Sequence, residues 1–328
     1  MALLDKPAAA LAWLGRHGTI AVAVSMFVGI AVPPLGALIR PYFAETVIIL
    51  LVFSFLRVDP DALRAQWKEP RFLILAAIWT MLVLPVLAMG LLFGVGRLIP
   101  GGDALPASLV LALVLHAVAP PTFSSPSLAA LIGLNGAISL AVLITCTAVT
   151  PFTSPALVAA FSASDVTLSP VALGLRLVLI LAGAALTSLA IRAVAGKGWV
   201  ERQAQRLDGL SVVMLFLFAI ALMGDVLPNT IANPLLVLGL VALSTSVSVA
   251  LTAVTALAFL NSGREVALTL GHTSGSRNMG LMLAAASAGS VPEFVWLYVA
   301  LAQFPIYLLP LVYKPLVQRL MARQDASH

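Results

Sequence analysis

One arginine, Arg277, lies well inside an apolar stretch, in the run Gly271-His272-Thr273-Ser274-Gly275-Ser276-Arg277-Asn278. An arginine at mid-bilayer costs about 2.5–3.5 kcal/mol on insertion scales, so such a residue faces a polar interior. Its planar guanidinium carries five donors, and two readings of them are open. They fit a carboxylate or sulfonate in a bidentate fork, or they staple the loosened carbonyls of interrupted helices. Aspartate and glutamate are missing from the middle of every apolar stretch, which leaves this cation to an anion from outside. A second polar run, Ala119-Pro120-Pro121-Thr122-Phe123-Ser124-Ser125-Pro126, interrupts another apolar stretch. Its prolines remove backbone donors, and its hydroxyls stand where amides and carbonyls come free. The bland alternative is a proline kink with Ser and Thr bonding back to the preceding turn.

The candidate substrate-binding residues are therefore Thr122, Ser124, Ser125, Thr273, Ser274, Ser276, Arg277 and Asn278. His116 and His272 lie just before the two interruptions and are candidates for proton coupling, against the plainer reading of neutral histidines bonding loosened carbonyls. The single cysteine, Cys146, rules out an intramolecular disulfide and a cysteine-cluster metal site. Neither metal nor cofactor is expected.

Positioning these residues requires a membrane protein. Of 328 residues, 61% are hydrophobic and only 9% charged, and mean hydropathy is +1.08. A soluble fold could not cover so much apolar surface with so few polar side chains. The expected class is an all-α polytopic membrane protein. Apolar runs and breakers place ten spans near 19–39, 44–56, 71–96, 106–131, 135–160, 168–191, 207–226, 233–259, 264–289 and 292–313. Pro33, Pro34, Pro305 and Pro310 read as kinks, and the first run as an uncleaved helix rather than a signal peptide.

Ten spans divide into two halves of five, 1–164 and 165–328, and an odd number per half inverts the second half relative to the first. The two interruptions then occupy equivalent places, the fourth and ninth spans. Paired broken helices in two inverted halves point to a transporter's binding site, with the N-termini of the half-helices beginning near Ser124 and Asn278 aimed at an anionic group. Lysine and arginine divide between alternate loops as 14 against 3, with Arg277 apart, so both termini are expected in the cytoplasm. The expected location is a bacterial inner membrane, and the net charge of +5 reflects loops retained on the cytoplasmic side rather than a nucleic-acid partner.

Three stretches together resemble the bile acid:sodium symporter family. They are Phe53 to Leu63 with Lys68-Glu69-Pro70-Arg71; the run from Ala119 to Ser127 leading into Asn135-Gly136-Ala137-Ile138-Ser139; and Gly275 to Leu281. The resemblance implies two inverted five-helix repeats, a panel domain of helices 1, 2, 6 and 7, and a core domain of helices 3, 4, 5, 8, 9 and 10 built around crossed broken helices. It implies alternating-access transport of organic anions, often driven by sodium. Departures fall at the family's sodium sites. Thr273 and Arg277 stand where sodium-coupled members carry an acidic residue and a glutamine, Ser125 where they carry asparagine, and Thr80, five residues before Pro85, where they carry glutamine. A downstream hydroxyl ligand falls near Leu143, although Ser139 survives.

A guanidinium beside a sodium ion repels it, so the expectation is a sodium-independent transporter of a small organic anion in which Arg277 replaces the cation. Alternatives are a sodium-coupled symporter and a non-transporting receptor of the same fold. An intramembrane serine hydrolase fits less well. Gly271-His272-Thr273-Ser274-Gly275 is one residue too long for the Gly-x-Ser-Gly motif, and only His116 could come from another helix as base. An arsenite exporter would carry a cysteine in the first interruption, and a channel a ring of charges; neither is present.

Overall fold

The structure is a computed structural model that describes residues 13, 18–58, 70–98, 105–162, 168–286 and 291–325. Lys6, Arg16, Arg64, the loop motif from Asp59 to Glu69, the repeat boundary at 164/165 and the end of the ninth expected span lie outside the described residues.

The described chain is all-helical. It begins with α1 (Gly18–Ala31), α2 (Pro33–Ile39), a 3-10 turn at Arg40–Tyr42 and α3 (Phe43–Arg57). Next come α4 (Pro70–Ile78), a π turn at Trp79–Val83 and α5 (Leu84–Leu98), then α6 (Ala107–Val118), α7 (Ser125–Ile132) and α8 (Gly136–Phe161). The following group is α9 (Pro170–Ala195), α10 (Lys197–Arg202), α11 (Ala204–Met223), α12 (Val226–Ala232) and α13 (Pro234–Ala258). Last are a 3-10 turn at Leu260–Ser262, α14 (Arg264–Gly275), α15 (Met279–Ala286), α16 (Glu293–Leu301) and α17 (Gln303–Asp325).

Among the described residues seven helical runs are long and apolar enough to cross a bilayer: Pro33–Arg57, Pro70–Gly94, Gly136–Phe161, Pro170–Ala195, Ala204–Ala232, Pro234–Ala258 and Glu293–Met321. The protein is thus an integral membrane protein of the all-α class. The first expected span is not one helix. Val32 leaves the helical region at φ −127° and ψ 70°, and Pro33 and Pro34 open α2 rather than kink α1. That follows from proline chemistry, since a residue without an N–H is tolerated in the first helical turn, where amides have no partner anyway. From Pro33 the helical run continues to Arg57, with only the 3-10 turn between the expected first and second spans. The fourth and ninth expected spans are each interrupted, by 119–124 and 276–278 respectively.

The chain divides into two compact units. One comprises Met1–Val58 and Val178–Val237, the other Asp59–Leu177 and Leu238–His328, so both later boundaries fall inside long helices, α9 and α13. In the first unit α1 and α2 pack on α11 through glycines. A Cβ on Gly29 would come within 2.9 Å of the Ile220 Cα, and one on Gly36 within 2.7 Å of the Gly224 Cα. Lipid gives helices no hydrophobic reason to associate, so such close backbone approach is how they gain contact. Arg192 Nη2 donates to the carbonyls of Leu56 and Val58 at 2.5 Å each, capping the C-terminus of α3, while Arg57 pairs with Asp208 and donates to Ser211 Oγ at 3.1 Å. Arg40 pairs with Asp225 at 2.8 Å.

The second unit holds both interruptions. Its α14 meets α13 through Gly271 and Gly275, four residues apart on one helix face. A Cβ at Gly271 would stand 2.7 Å from the Thr252 carbonyl oxygen, and one at Gly275 would stand 2.0 Å from Thr252 Oγ1 and 2.8 Å from the Ser248 carbonyl oxygen. The Gly-His-Thr-Ser-Gly run is thus a helix-crossing motif of small residues.

Candidate functional site

The two interruptions complete each other. Helix α6 stops at Val118 because Pro120 and Pro121 supply no amides, and α14 stops at Gly275, with Ser276 in extended conformation. The freed backbone groups then pair across the gap. Thr122 N donates to Ser276 O at 2.8 Å and Asn278 N donates to Pro120 O at 2.7 Å, an antiparallel bridge centred on Pro121 and Arg277. This is how unwound chain survives inside the protein, where an unsatisfied backbone group costs several kcal/mol. Beyond the bridge the helices resume. Asn278 Oδ1 accepts from Leu281 N at 3.1 Å at the start of α15, and Ser124 N donates to Thr122 Oγ1 at 3.1 Å before α7.

Arg277 lies in the middle of this bridge with no solvent exposure. Its Nη1 donates to Ala119 O at 2.8 Å and to Thr80 O at 3.2 Å, and its Nη2 donates to Thr80 O at 3.2 Å. Both carbonyls are free for stated reasons. Ala119 lies beyond the last turn of α6, and the amide of Thr122, three residues on, goes to Ser276 O. Thr80 sits in the π turn, where the amide of Leu84 bonds Trp79 O instead, and the next residue that could serve it, Pro85, has no N–H. The guanidinium therefore caps the C-terminal end of α6, where partial negative charge accumulates, and fills the gap left by a proline five residues downstream of Thr80. No carboxylate among the described residues pairs with it, and Nε is buried without a hydrogen-bond partner.

The interruptions and the helices packed on them carry a set of hydroxyls in mutual contact. Thr80 Oγ1 and Ser274 Oγ are 2.9 Å apart, Thr273 Oγ1 is 2.8 Å from Ser139 Oγ, and Ser139 Oγ is 3.3 Å from Ser125 Oγ. Thr273 has one proton for two neighbours, since its Oγ1 also lies 2.7 Å from Thr269 O. Thr122 Oγ1 and Ser124 Oγ pair at 2.5 Å. Of the sequence-predicted residues, Thr122, Ser125, Thr273, Ser274, Ser276 and Arg277 are buried, and Ser124 and Asn278 are partly exposed.

The two histidines differ. His116 Nδ1 is 2.8 Å from the Tyr298 hydroxyl, and their rings pack at 5.8 Å between centroids. His272 is buried in α14, with Nε2 lacking a hydrogen-bond partner. Among the described residues no three of His, Cys, Asp and Glu gather as a metal site.

Sequence reasoning missed Tyr298, which lies 182 residues from its histidine. It also missed the carbonyl of Thr80 as the acceptor for Arg277. The proline at 85 was the available signal, because it predicts a carbonyl without a donor near mid-helix. No protein-family model and no curated protein matches the chain.

Proposed function

We propose that the protein is a secondary transporter of a small organic anion, resembling the bile acid:sodium symporters but working without sodium, with the guanidinium of Arg277 in place of a resident cation. The observation that carries this reading is the company Arg277 keeps: two backbone carbonyl oxygens at the meeting of two unwound segments. Carbonyl oxygens are the ligands a hard cation takes, and here a side chain occupies them permanently. A sodium ion brought to about 4 Å from the guanidinium would meet roughly 4 kcal/mol of repulsion at an effective dielectric of 20, close to a thousandfold in affinity.

Two further features support the reading. The N-termini of α7 and α15 open directly from the crossing, so the partial positive charge of both helix ends favours an anion there. Alternating access needs two bodies that each keep their own packing, and the contacts of this chain fall into two compact units. The ten-helix reading with two inverted repeats, a panel of helices 1, 2, 6 and 7, a core holding the crossing, and both termini in the cytoplasm of a bacterium belongs to the same proposal.

The test is counterflow in sealed proteoliposomes with a panel of radiolabelled small carboxylic and sulfonic acids. Exchange is expected for at least one acid and unchanged when potassium replaces sodium. Uptake that rises steeply with external sodium refutes the cation replacement. Binding without any exchange identifies a receptor instead.

A further inference from the structure

The unused edge of the Arg277 guanidinium narrows the ligand. Nη1 lies on the Cδ side of the planar group, and both its protons are engaged, one with Ala119 O and one with Thr80 O. Nη2 gives one proton to the same Thr80 oxygen. What remains is Nε–H, buried and without a partner, together with the outer proton of Nη2. In arginine these two protons point the same way, side by side, as one parallel pair. The backbone has thus consumed the end of the guanidinium and left its flank intact.

We infer that this flank is the binding subsite for a single carboxylate, held side-on by Nε and Nη2 while Nη1 stays on the protein backbone. The inference deepens the transporter reading by naming the chemical class and the docking edge. A buried donor without an acceptor demands an explanation, and a charged one all the more so. Two coplanar oxygens satisfy both remaining protons at once. A primary amide cannot do so, because it offers one oxygen and turns its own N–H groups toward a donor. A sulfonate reaches the fork with two oxygens but brings a third that the planar edge does not serve. Nε is closed to solvent in this conformation, so the ligand reaches it only when the side chains around the crossing move. Lysine could not replace this arginine, since one ammonium cannot hold the two carbonyls and present a parallel pair of donors.

The experiment follows the Nε–H resonance of Arg277 in detergent-solubilised protein labelled with 15N-arginine. Among the described residues Arg277 is the one fully buried arginine, so its Nε–H is expected to exchange slowly with solvent; its loss in Arg277→Lys gives the assignment. The probes are the straight-chain monocarboxylates from acetate to hexanoate, the matching amides, the matching alkanesulfonates and chloride. A saturable downfield shift with a carboxylate, absent with its amide and with chloride and weaker with the sulfonate, is the expected result. No shift with any carboxylate overturns the subsite, and so does an equal shift with chloride or sulfonate. Counterflow of the same acids separates the two levels. Counterflow with an unmoved resonance overturns the subsite alone, whereas a moving resonance without counterflow overturns transport and leaves the subsite standing.

Discussion

Replacing Arg277 by methionine removes three hydrogen bonds and a buried charge together, and the two losses act in opposite directions on stability. The hydrogen bonds serve two carbonyls, Ala119 O at 2.8 Å and Thr80 O at 3.2 Å from each of two nitrogens. Neither carbonyl has a helical donor, and leaving a buried acceptor unsatisfied costs about 1–3 kcal/mol, hence about 2–6 kcal/mol for the pair. Losing the charge relieves its desolvation, but the guanidinium sits against a helix C-terminus, a placement that can itself be worth up to about 2 kcal/mol. Methionine follows much of the arginine stem, so the packing change is small. The net effect is destabilising. With an unfolding entropy of about 2.1 cal/mol/K per residue over 328 residues, the carbonyl cost alone corresponds to a Tm drop of roughly 3–9 °C, of which relief of the charge's desolvation returns part. Cys146 provides the assay, because the single cysteine is fully buried and reacts with a thiol-specific fluorophore only as the core opens. A smaller replacement, Arg277→Ala, leaves room for free guanidinium ion, and millimolar guanidinium is expected to raise its melting point where equal sodium chloride does not. A methionine variant as stable as the wild type, or more stable, refutes the assignment of Arg277 as the cap of these carbonyls.

The other expectations follow from packing and charge. Gly275→Ala places a Cβ 2.0 Å from Thr252 Oγ1 and 2.8 Å from the Ser248 carbonyl, an overpacking worth about 1–3 kcal/mol, and adding Thr252→Ala recovers only part of it because the carbonyl clash persists; the same thiol melt measures both. Asp208→Asn breaks the pair with Arg57, yet with those side chains 41% and 48% exposed it costs less than about 1 kcal/mol, and a melt lowered as far as that of Arg277→Met would contradict this. Competition against a transported monocarboxylate is expected to rank monoacids above diacids of equal length, since among the described residues Arg277 is the one buried arginine, and a reversed ranking would count against a single guanidinium as the anchor.

The all-helical membrane class was legible because its causes are local. Apolar runs announce long helices, and prolines announce where helices stop, as at Pro120 and Pro121. The opening of the chain was harder to read, because a proline pair inside an apolar run is compatible either with a kink or with a new start. The outcome depends on whether the preceding residue leaves the helical region, as Val32 does. At the site, the two polar runs were recognisable separately, but the bridge between Thr122 and Ser276 joins residues 154 positions apart and no local signal encodes it. The partner of His116 was hidden for the same reason. The role of Thr80 lay between these cases: Pro85 implied a stranded carbonyl, but only the fold brings Arg277 to it.

The polarity of the crossing explains why a cation belongs there at all. Two interrupted helices present four ends: the C-termini of α6 and α14, with partial negative charge, and the N-termini of α7 and α15, with partial positive charge. The backbone bridge satisfies one carbonyl and one amide from each interruption but leaves Ala119 O without a donor. A mobile metal ion could neutralise such an end only while bound, so its arrival would govern the shape of the site. A tethered guanidinium does so at all times. The consequence is a crossing that is held together before any ligand arrives, and whose remaining charge is positive. On the proposed transport reading, an anion would complete it without the prior binding of a second solute.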